Sequence, residues 1–210
     1  EFRKLIGKKD ASRLSAIPNA IQPVKSDIPV HLKKKEIIFV GRFALEKALP
    51  KLLKIWEMVQ DEIPEWSLVM VGDGDKYQEC EEIIAKKKLK RVNMVGYQMS
   101  IPYIDRASIL CITSVIEGLP TVFTEAMNLG VVPIGFDSFR AIYDMIDDGK
   151  NGFIIRDNDY KAYAQTLIQL ATNDTLRHEI ASNAKLQKGN YDIEHIGPLW
   201  IKAFRKHGIV

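Results

Sequence analysis

Residues 114–130 read SVIEGLPTVFTEAMNLG, and this stretch predicts a strand end, a tight turn and a helix. The apolar residues 109–112 stop just before it, and the Gly-Leu-Pro at 118–120 prevents the strand from continuing. Proline suits the first turn of a helix because its missing N–H would have no partner there, and glycine suits the position after the last turn. We therefore expect a helix from about Pro120 to Leu129, ended by Gly130.

The predicted helix has two different faces. Its apolar face is made by Val122, Phe123, Ala126 and Leu129. Its other face carries Thr121, Glu125 and Asn128 at helical spacing. The carboxylates Glu117 and Glu125 flank the helix start. Taken alone, they are more simply interpreted as surface charges, since carboxylates are common on surfaces. Other parts of the sequence are needed to decide whether these carboxylates are surface charges or part of a binding site.

Composition sets wide bounds on function. A chain of 210 residues that is 46% hydrophobic is long enough for one large domain or one domain with an appendage. The net charge of +3 is too small to indicate nucleic-acid binding. Apolar runs are strand-sized and the first ten residues lack the apolar region of a secretion signal, so we expect a cytoplasmic protein with Cys80 and Cys111 as free thiols.

The order of strands and helices predicts the fold class. Strands are expected at residues 36–40, 67–71, 92–95, 109–113, 131–134 and 152–155. Helical patterns separate most of them, and the strands are apolar throughout, which is typical of a parallel sheet covered on both faces. We predict an α/β fold, a doubly wound parallel sheet of about six strands, Rossmann-like, with C-terminal helices. We expect a linker segment at 1–35, the domain at 36–190, and a terminal helix at 191–210 that kinks at Pro198.

Ligands of such sheets bind beyond the carboxyl ends of the strands, at the point where the strand order reverses. Arg42 and Lys47 follow the first strand, and a fork of donors next to a point charge suits a diphosphate. Backbone N–H groups near residues 118–121 suit the same anion. Carboxylates accept hydrogen bonds from the diol of a ribose or a hexose. The step from Glu117 to Glu125 spans at most ~12 Å if helical, which fits one diphosphate with a sugar at each end.

Other ligands are disfavoured. Gly72-Asp73-Gly74 follows a strand, as in a dinucleotide site, but Tyr77 occupies the third glycine position. A nicotinamide-binding domain is therefore a weak alternative. The sequence has no phosphate-binding P-loop. Its four histidines are scattered away from strand ends, which argues against a zinc site and a Ser-His-Asp site.

Five short motifs together resemble a known family. They are Gly41-Arg42 with Lys47, Val71-Gly72-Asp73-Gly74, Val95-Gly96-Tyr97, Glu117-Gly118-Leu119-Pro120 with Glu125-Ala126-Met127, and Asp148 to Phe153. In this order they resemble the nucleotide-sugar-binding half of GT-B glycosyltransferases, specifically glycosyltransferase family 4. Each motif alone is weak, but their order and spacing over about residues 17–205 are fairly specific.

The resemblance implies a role for each matching residue. Arg42 and Lys47 are expected to bind and neutralise the donor diphosphate, and with Glu117, which contacts the transferred sugar, to form the catalytic set. Glu125 is expected to hold the ribose hydroxyls, and Tyr97 and Gln98 the base. The backbone of Gly118, Leu119, Pro120 and Thr121 is expected to touch phosphate or sugar.

The resemblance also implies a reaction. It predicts a retaining hexosyltransferase that needs neither cofactor nor metal and uses a UDP- or GDP-sugar as donor. A sugar, glycan or lipid acceptor would bind through a second domain that precedes this one in GT-B enzymes. Because about 35 residues precede the first strand, we expect the chain to be a donor domain or fragment, inactive alone. The full-length protein is expected to associate peripherally with the cytoplasmic face of a membrane and to bind no nucleic acid.

The chain departs from the family pattern in three places. Ala48 follows Lys47 and Ala20 follows Asn19 where glycine is usual, and residues 136–140 lack the double glycine of many members. A non-catalytic nucleotide-sugar-binding module is the alternative to an enzyme.

Overall fold

The computed structural model describes residues 14–22, 24, 26–186 and 191–209. The chain divides into two compact units, Val24–Lys188 and a second made of Glu1–Pro23 with Gly189–Val210. The first 13 residues of the predicted linker and residues 187–190 of the predicted domain lie outside the described residues. The predicted boundaries at residues 35 and 190 remain a prediction.

The larger unit is built on one parallel sheet. Its strands are β1 Glu36–Val40, β2 Ser67–Val71, β3 Val92–Gly96, β4 Ile109–Ile112, β5 Val132–Phe136 and β6 Phe153–Ile155. Every pairing is parallel and the order is β3-β2-β1-β4-β5-β6. The order reverses between β1 and β4, which is the topological switch of a doubly wound sheet. The predicted α/β class and the six strands are confirmed.

Helices connect the strands. In this unit they are α1 Leu49–Val59, α2 Tyr77–Lys87, α3 Ile101–Arg106, α4 Thr121–Leu129, α5 Ile142–Met145, α6 Tyr160–Thr172 and α7 Asp174–Leu186. The helix α4 begins after Pro120 and ends at Gly130, whose φ of 71° is left-handed, as the sequence predicts. The short α3 escapes prediction because six residues hold too little helical periodicity.

Alternate strand residues face opposite sides of the sheet. Ile37 and Phe39 of β1 join the cluster formed with α1 and α6, whereas the buried Ile38 between them lies outside that cluster. Helix α1 packs between α2 and α6, while α4 packs between α3 and α7. Helices thus cover both faces, which is why the strand sequences are apolar throughout.

The packing of α4 corrects one expectation. Asn128 was expected on a face that carries chemistry, but its side chain is only 3% exposed. Thr124 is buried as well, because α3 and α7 cover two sides of this helix. Of the predicted second face, only Thr121 and Glu125 stay partly accessible.

The smaller unit contains α8, Ile193–Lys206. Its first turn is capped by Asp192, whose side chain accepts a hydrogen bond from the His195 backbone N–H at 2.9 Å. The helix continues through Pro198, and the predicted kink there remains a prediction. Ile196 is buried, whereas Trp200 and Phe204 are exposed.

Candidate functional site

The loops after β1 and β4 meet at the switch point of the sheet. The Val115 backbone N–H donates to the Glu46 carbonyl at 2.9 Å. The Thr113 hydroxyl donates to the Lys47 carbonyl at 3.1 Å. These two bonds bring the predicted cation loop and the predicted carboxylate loop together, although 70 residues of sequence separate Lys47 from Glu117.

Lys47 and Glu117 form an ion pair at this junction. The lysine Nζ lies 2.6 Å from Oε1 of Glu117, and the side chains are 21% and 13% exposed. The Ser114 hydroxyl donates to the same oxygen at 2.7 Å. Hydrogen bonds to an ionised carboxylate are short and strong, so this partly buried cluster holds Glu117 in one position. Ser114 is a site residue that the sequence analysis missed.

Arg42 is held much more loosely. It pairs with Glu46 at 2.8 Å on the surface, and its own side chain is 71% exposed. The hydrogen bond from Arg42 lowers the pKa of Glu46. An exposed pair of this kind adds little to stability, so the guanidinium can change partners at little cost.

A cavity of about 620 Å³ opens beyond the carboxyl ends of β1, β2 and β3. Arg42 lines it together with Tyr97 and Gln98, and residues 99–101 line it as well. This volume lies in the range of small-molecule sites, about 300–1,000 Å³. The cavity is therefore large enough for a nucleoside.

The floor of the cavity is backbone. Gly72 has a φ of +139°, and a Cβ added there would lie 1.9 Å from the Gly41 carbonyl oxygen. No side chain fits between these two turns, so the loops after β1 and β2 pack directly against each other. This close packing requires glycine at position 72.

Glu125 lies on α4 in a different environment. Its side chain is half-buried, and burial raises the pKa of its carboxyl group above the ordinary value. Among the described residues, none donates a hydrogen bond or an ion pair to it. Charge or hydroxyl groups from a ligand would supply what the protein does not.

The start of α4 also lacks a side-chain cap. Pro120 occupies the cap position and accepts no hydrogen bond through a side chain. The first N–H groups of a helix have no partner within the helix, and they favour an anion.

The structure thus groups the predicted residues into sets. Arg42, Tyr97 and Gln98 share the cavity, and Lys47 pairs with Glu117. Among the described residues, those from 117 to 125 do not line the cavity. The site therefore has two parts. One is the open cavity beyond the carboxyl ends of β1, β2 and β3, and the other is the hydrogen-bonded cluster at the switch point. The loop that follows β1 contributes to both.

Within the described residues, no group of three or more histidine, cysteine, aspartate and glutamate side chains could hold a metal ion. In the same part of the chain, no helix is both long enough and apolar enough to cross a membrane.

Residues 22–187 match the family described as Glycosyl transferases group 1. The match covers most of the 210 residues, and the chain belongs to this family. Its sheet is that of the GT-B glycosyltransferases among its structural neighbours. The family-level resemblance is confirmed, while the finer assignment to glycosyltransferase family 4 remains a prediction.

Several known proteins are similar to this chain. An uncharacterized glycosyltransferase of Haemophilus influenzae is 28% identical over 187 residues, which are 88% of this chain and 52% of that protein. A Campylobacter jejuni α-1,4-N-acetyl-D-galactosaminyltransferase, whose name gives an undecaprenol-linked acceptor, is 28% identical over 81% of this chain and 48% of its own length. The chain therefore spans about half the length of these curated relatives.

Solved structures agree on the fold. The structure of Staphylococcus aureus TarM with Fondaparinux, α-GlcNAc-glycerol and UDP is 25% identical, with a TM-score of 0.83 over 90% of this chain and 39% of that one. Anabaena HepE in complex with UDP and glucose is 18% identical, with a TM-score of 0.81, and shows the fold alone.

Proposed function

We propose that this chain is the donor-binding part of a retaining, metal-independent hexosyltransferase of family 4. The enzyme moves a hexosyl group from a nucleoside-diphosphate sugar to a glycan or lipid acceptor. The observation that carries the proposal is the ion pair of Lys47 with Glu117 at the switch point, reached from the same loop as the cavity that Arg42 lines. Membership in the glycosyltransferase family supports it.

The cavity is proposed to hold the base of the nucleoside. Tyr97 and Gln98, which line the cavity, contact the base. Glu125 accepts hydrogen bonds from the ribose hydroxyls. Because this half-buried carboxylate has no partner among the described residues, hydroxyl donors would restore the hydrogen bonds that burial removed. A UDP-sugar is the favoured donor, since TarM was solved with UDP.

The two cations are proposed to bind the diphosphate. Arg42 leaves its weak surface pair with Glu46. Lys47 keeps Glu117 as one partner and has further donors on its ammonium group for phosphate oxygens. The uncapped start of α4, with the backbone of residues 118–121, binds the same anion.

These groups stabilise the leaving group. The acceptor oxygen bonds to the anomeric carbon while the bond from that carbon to the phosphate oxygen breaks, and the acceptor proton passes to the departing diphosphate. Negative charge then grows on the departing nucleoside diphosphate, where Arg42 and Lys47 lie. One well-placed donor of this kind is worth about 2.7–4 kcal/mol in the transition state. Glu117 orients the transferred sugar.

The acceptor is proposed to bind outside the matched region. The chain covers 52% and 48% of the relatives from Haemophilus influenzae and Campylobacter jejuni, so residues that such proteins use for acceptors can lie in the remainder. We expect the 210-residue chain to bind donor and to be inactive in transfer by itself. For the full-length protein we propose peripheral association with the cytoplasmic face of a membrane.

Isothermal titration calorimetry with UDP, GDP and ADP tests the proposal. We expect one of them to bind, and we expect Arg42→Ala and Glu125→Ala to abolish measurable binding. Lys90→Ala is a matched control, because Lys90 forms a similarly exposed pair with Asp61 at 2.9 Å but precedes β3, at the other end of the strand. Absence of binding of all three nucleotides at millimolar concentration would contradict the proposal.

A further inference from the structure

Two donors converge on one oxygen of Glu117. Lys47 Nζ lies 2.6 Å from Oε1 and the Ser114 hydroxyl lies 2.7 Å from the same atom. No described residue donates a hydrogen bond to the other oxygen, Oε2. One oxygen of the carboxylate is thus fully engaged by the protein, and the other can accept a hydrogen bond from a ligand.

Hydrogen bonds hold the backbone around Ser114 in place. Ser114 is 1% exposed, and its carbonyl accepts a hydrogen bond from the hydroxyl of Ser138 in the loop after β5. On either side of it, Thr113 and Val115 are hydrogen-bonded to the loop after β1. Three loops therefore determine where this hydroxyl lies.

The two donors differ in what else they can do. Lys47 has an ammonium group on a long flexible side chain, and phosphate oxygens compete for it once a donor binds. The serine side chain is short, and its single proton is committed to Glu117. When the Lys47 ammonium group also binds phosphate oxygens, Ser114 is the donor that still holds the carboxylate of Glu117.

We propose that Ser114 is a positioning residue, which fixes the carboxylate of Glu117 so that Oε2 accepts a hydrogen bond from the transferred sugar. This inference rests on the proposed function, because it takes Glu117 as the residue that contacts the sugar. Beyond the proposed function, it states that the affinity gained from the sugar depends on the buried hydroxyl of Ser114, which does not contact the donor.

The test compares two ligands. For each variant, calorimetry gives the affinity for the nucleoside diphosphate that binds best and for its hexose and N-acetylhexosamine esters. The affinity for the best-binding ester divided by the affinity for the diphosphate is the gain in affinity due to the sugar. Ser114→Ala is expected to lower this gain about tenfold, in line with the loss of one hydrogen bond to a charged group, and to leave diphosphate affinity within about twofold. Ser114→Thr, which keeps the hydroxyl, is expected to restore most of the gain.

Ser108→Ala is the matched control. Ser108 is also a buried serine, and its hydroxyl donates to the Lys34 carbonyl at 2.7 Å just before β4, whereas Ser114 follows the same strand. Ser108→Ala also removes the hydrogen bond of a buried serine hydroxyl, here to a neutral carbonyl, so an effect of losing a buried hydroxyl alone would appear in both variants. We expect Ser108→Ala to keep the full gain.

A double-mutant cycle shows whether Ser114 acts through Glu117. In the background of Glu117→Gln, the further change Ser114→Ala is expected to have no additional effect on the gain. Three results would overturn the inference: additive losses in the double variant, an equal loss of affinity for both ligands, or no gain due to the sugar in the wild-type chain. In each case nucleotide binding would still support the proposed function. Absence of binding of every diphosphate would overturn both.

Discussion

Glu117 and Glu125 lie eight residues apart in one stretch of sequence, yet the structure treats them in opposite ways. Glu117 receives hydrogen bonds from Lys47 and Ser114. Glu125 is half-buried with no partner among the described residues, and burial raises the pKa of its carboxyl group. The first carboxylate is positioned by the protein itself, whereas the second is proposed to find its partners on the ligand.

The difference has an energetic consequence. A buried charge is tolerated when it is paired and hydrogen-bonded, and it costs free energy when it is not. Glu117 should therefore serve stability and function together. Glu125 should serve function at the expense of stability, which is common for residues selected to bind a ligand.

Among the changes to the two carboxylates and their partners, loss of Lys47 should lower stability most, because it removes one of the two hydrogen-bond donors of Glu117. We expect Lys47→Ala to lower the affinity for a nucleoside diphosphate about 100-fold, since a charged partner of the phosphate is removed. The free energy of unfolding should fall by about 1–3 kcal/mol, since Glu117 keeps only Ser114. Calorimetry and urea denaturation measure the two effects.

Lys51→Ala is the control for that variant. Lys51 pairs with Asp157 at 2.9 Å, and its side chain is similarly buried, but neither residue lines the cavity. It should lower stability by a comparable amount without changing nucleotide affinity. An equal loss of affinity in both variants would contradict the role given to Lys47.

Substitution of each carboxylate by its amide tests the comparison directly. Glu117→Gln should lower the free energy of unfolding by about 1–2 kcal/mol, because Lys47 loses its charged partner. Glu125→Gln should leave stability unchanged or raise it by up to about 1 kcal/mol, because a half-buried charge disappears. Both are expected to weaken donor binding. Equal destabilisation in the two variants, measured by urea denaturation, would contradict the comparison.

The pH dependence of stability gives a smaller effect with a definite sign. Because the pKa of Glu125 is raised in the folded state, its protonated form is favoured there. The contribution of this group to stability is fully present below the pKa of the unfolded chain, about 4.3, and is lost as the pH rises through the folded value. The stability of Glu125→Gln relative to wild type should therefore increase between about pH 4 and pH 7. A constant or decreasing difference in urea denaturation would contradict this.

Gly118 lies between the two carboxylates and should give the smallest change in stability. A Cβ added there meets no atom within 4 Å. Gly118→Ala should change the free energy of unfolding by less than about 1 kcal/mol. Alanine lowers the conformational entropy of the unfolded chain, which favours the folded state. It should still weaken donor binding where the backbone contacts phosphate or sugar. Gly72→Ala is the contrast, since its Cβ would lie 1.9 Å from the Gly41 oxygen and should prevent native packing.

Much of the fold was predictable from local pattern. Apolar runs of strand length alternating with helices predict the parallel sheet, and Pro120 and Gly130 mark the ends of α4 within a residue. The helix α3 was missed because it is short. The burial of Asn128 was missed because its cause is the packing of α3 and α7, which are distant in sequence or were not predicted.

The site was predictable as a set of residues and not as an arrangement. The strand ends indicated Arg42, Lys47 and Glu117 on one rim, and the structure joins two of them in an ion pair. Ser114 carried no signal of its own, since a serine before a turn is common. Only its distance of 2.7 Å from Glu117 identifies it.

The sequence by itself determined the sheet class, the helix that follows β4, and the residue types at the strand ends, because these depend on periodicity and on the backbone preferences of glycine and proline. Only the tertiary structure decided which carboxylate is paired. Lys47 reaches Glu117 because β1 and β4 are neighbours at the switch point, although 70 residues separate the two side chains. Glu125 has no such neighbour among the described residues, and that difference in surroundings gives two like residues different contributions to stability and different proposed roles.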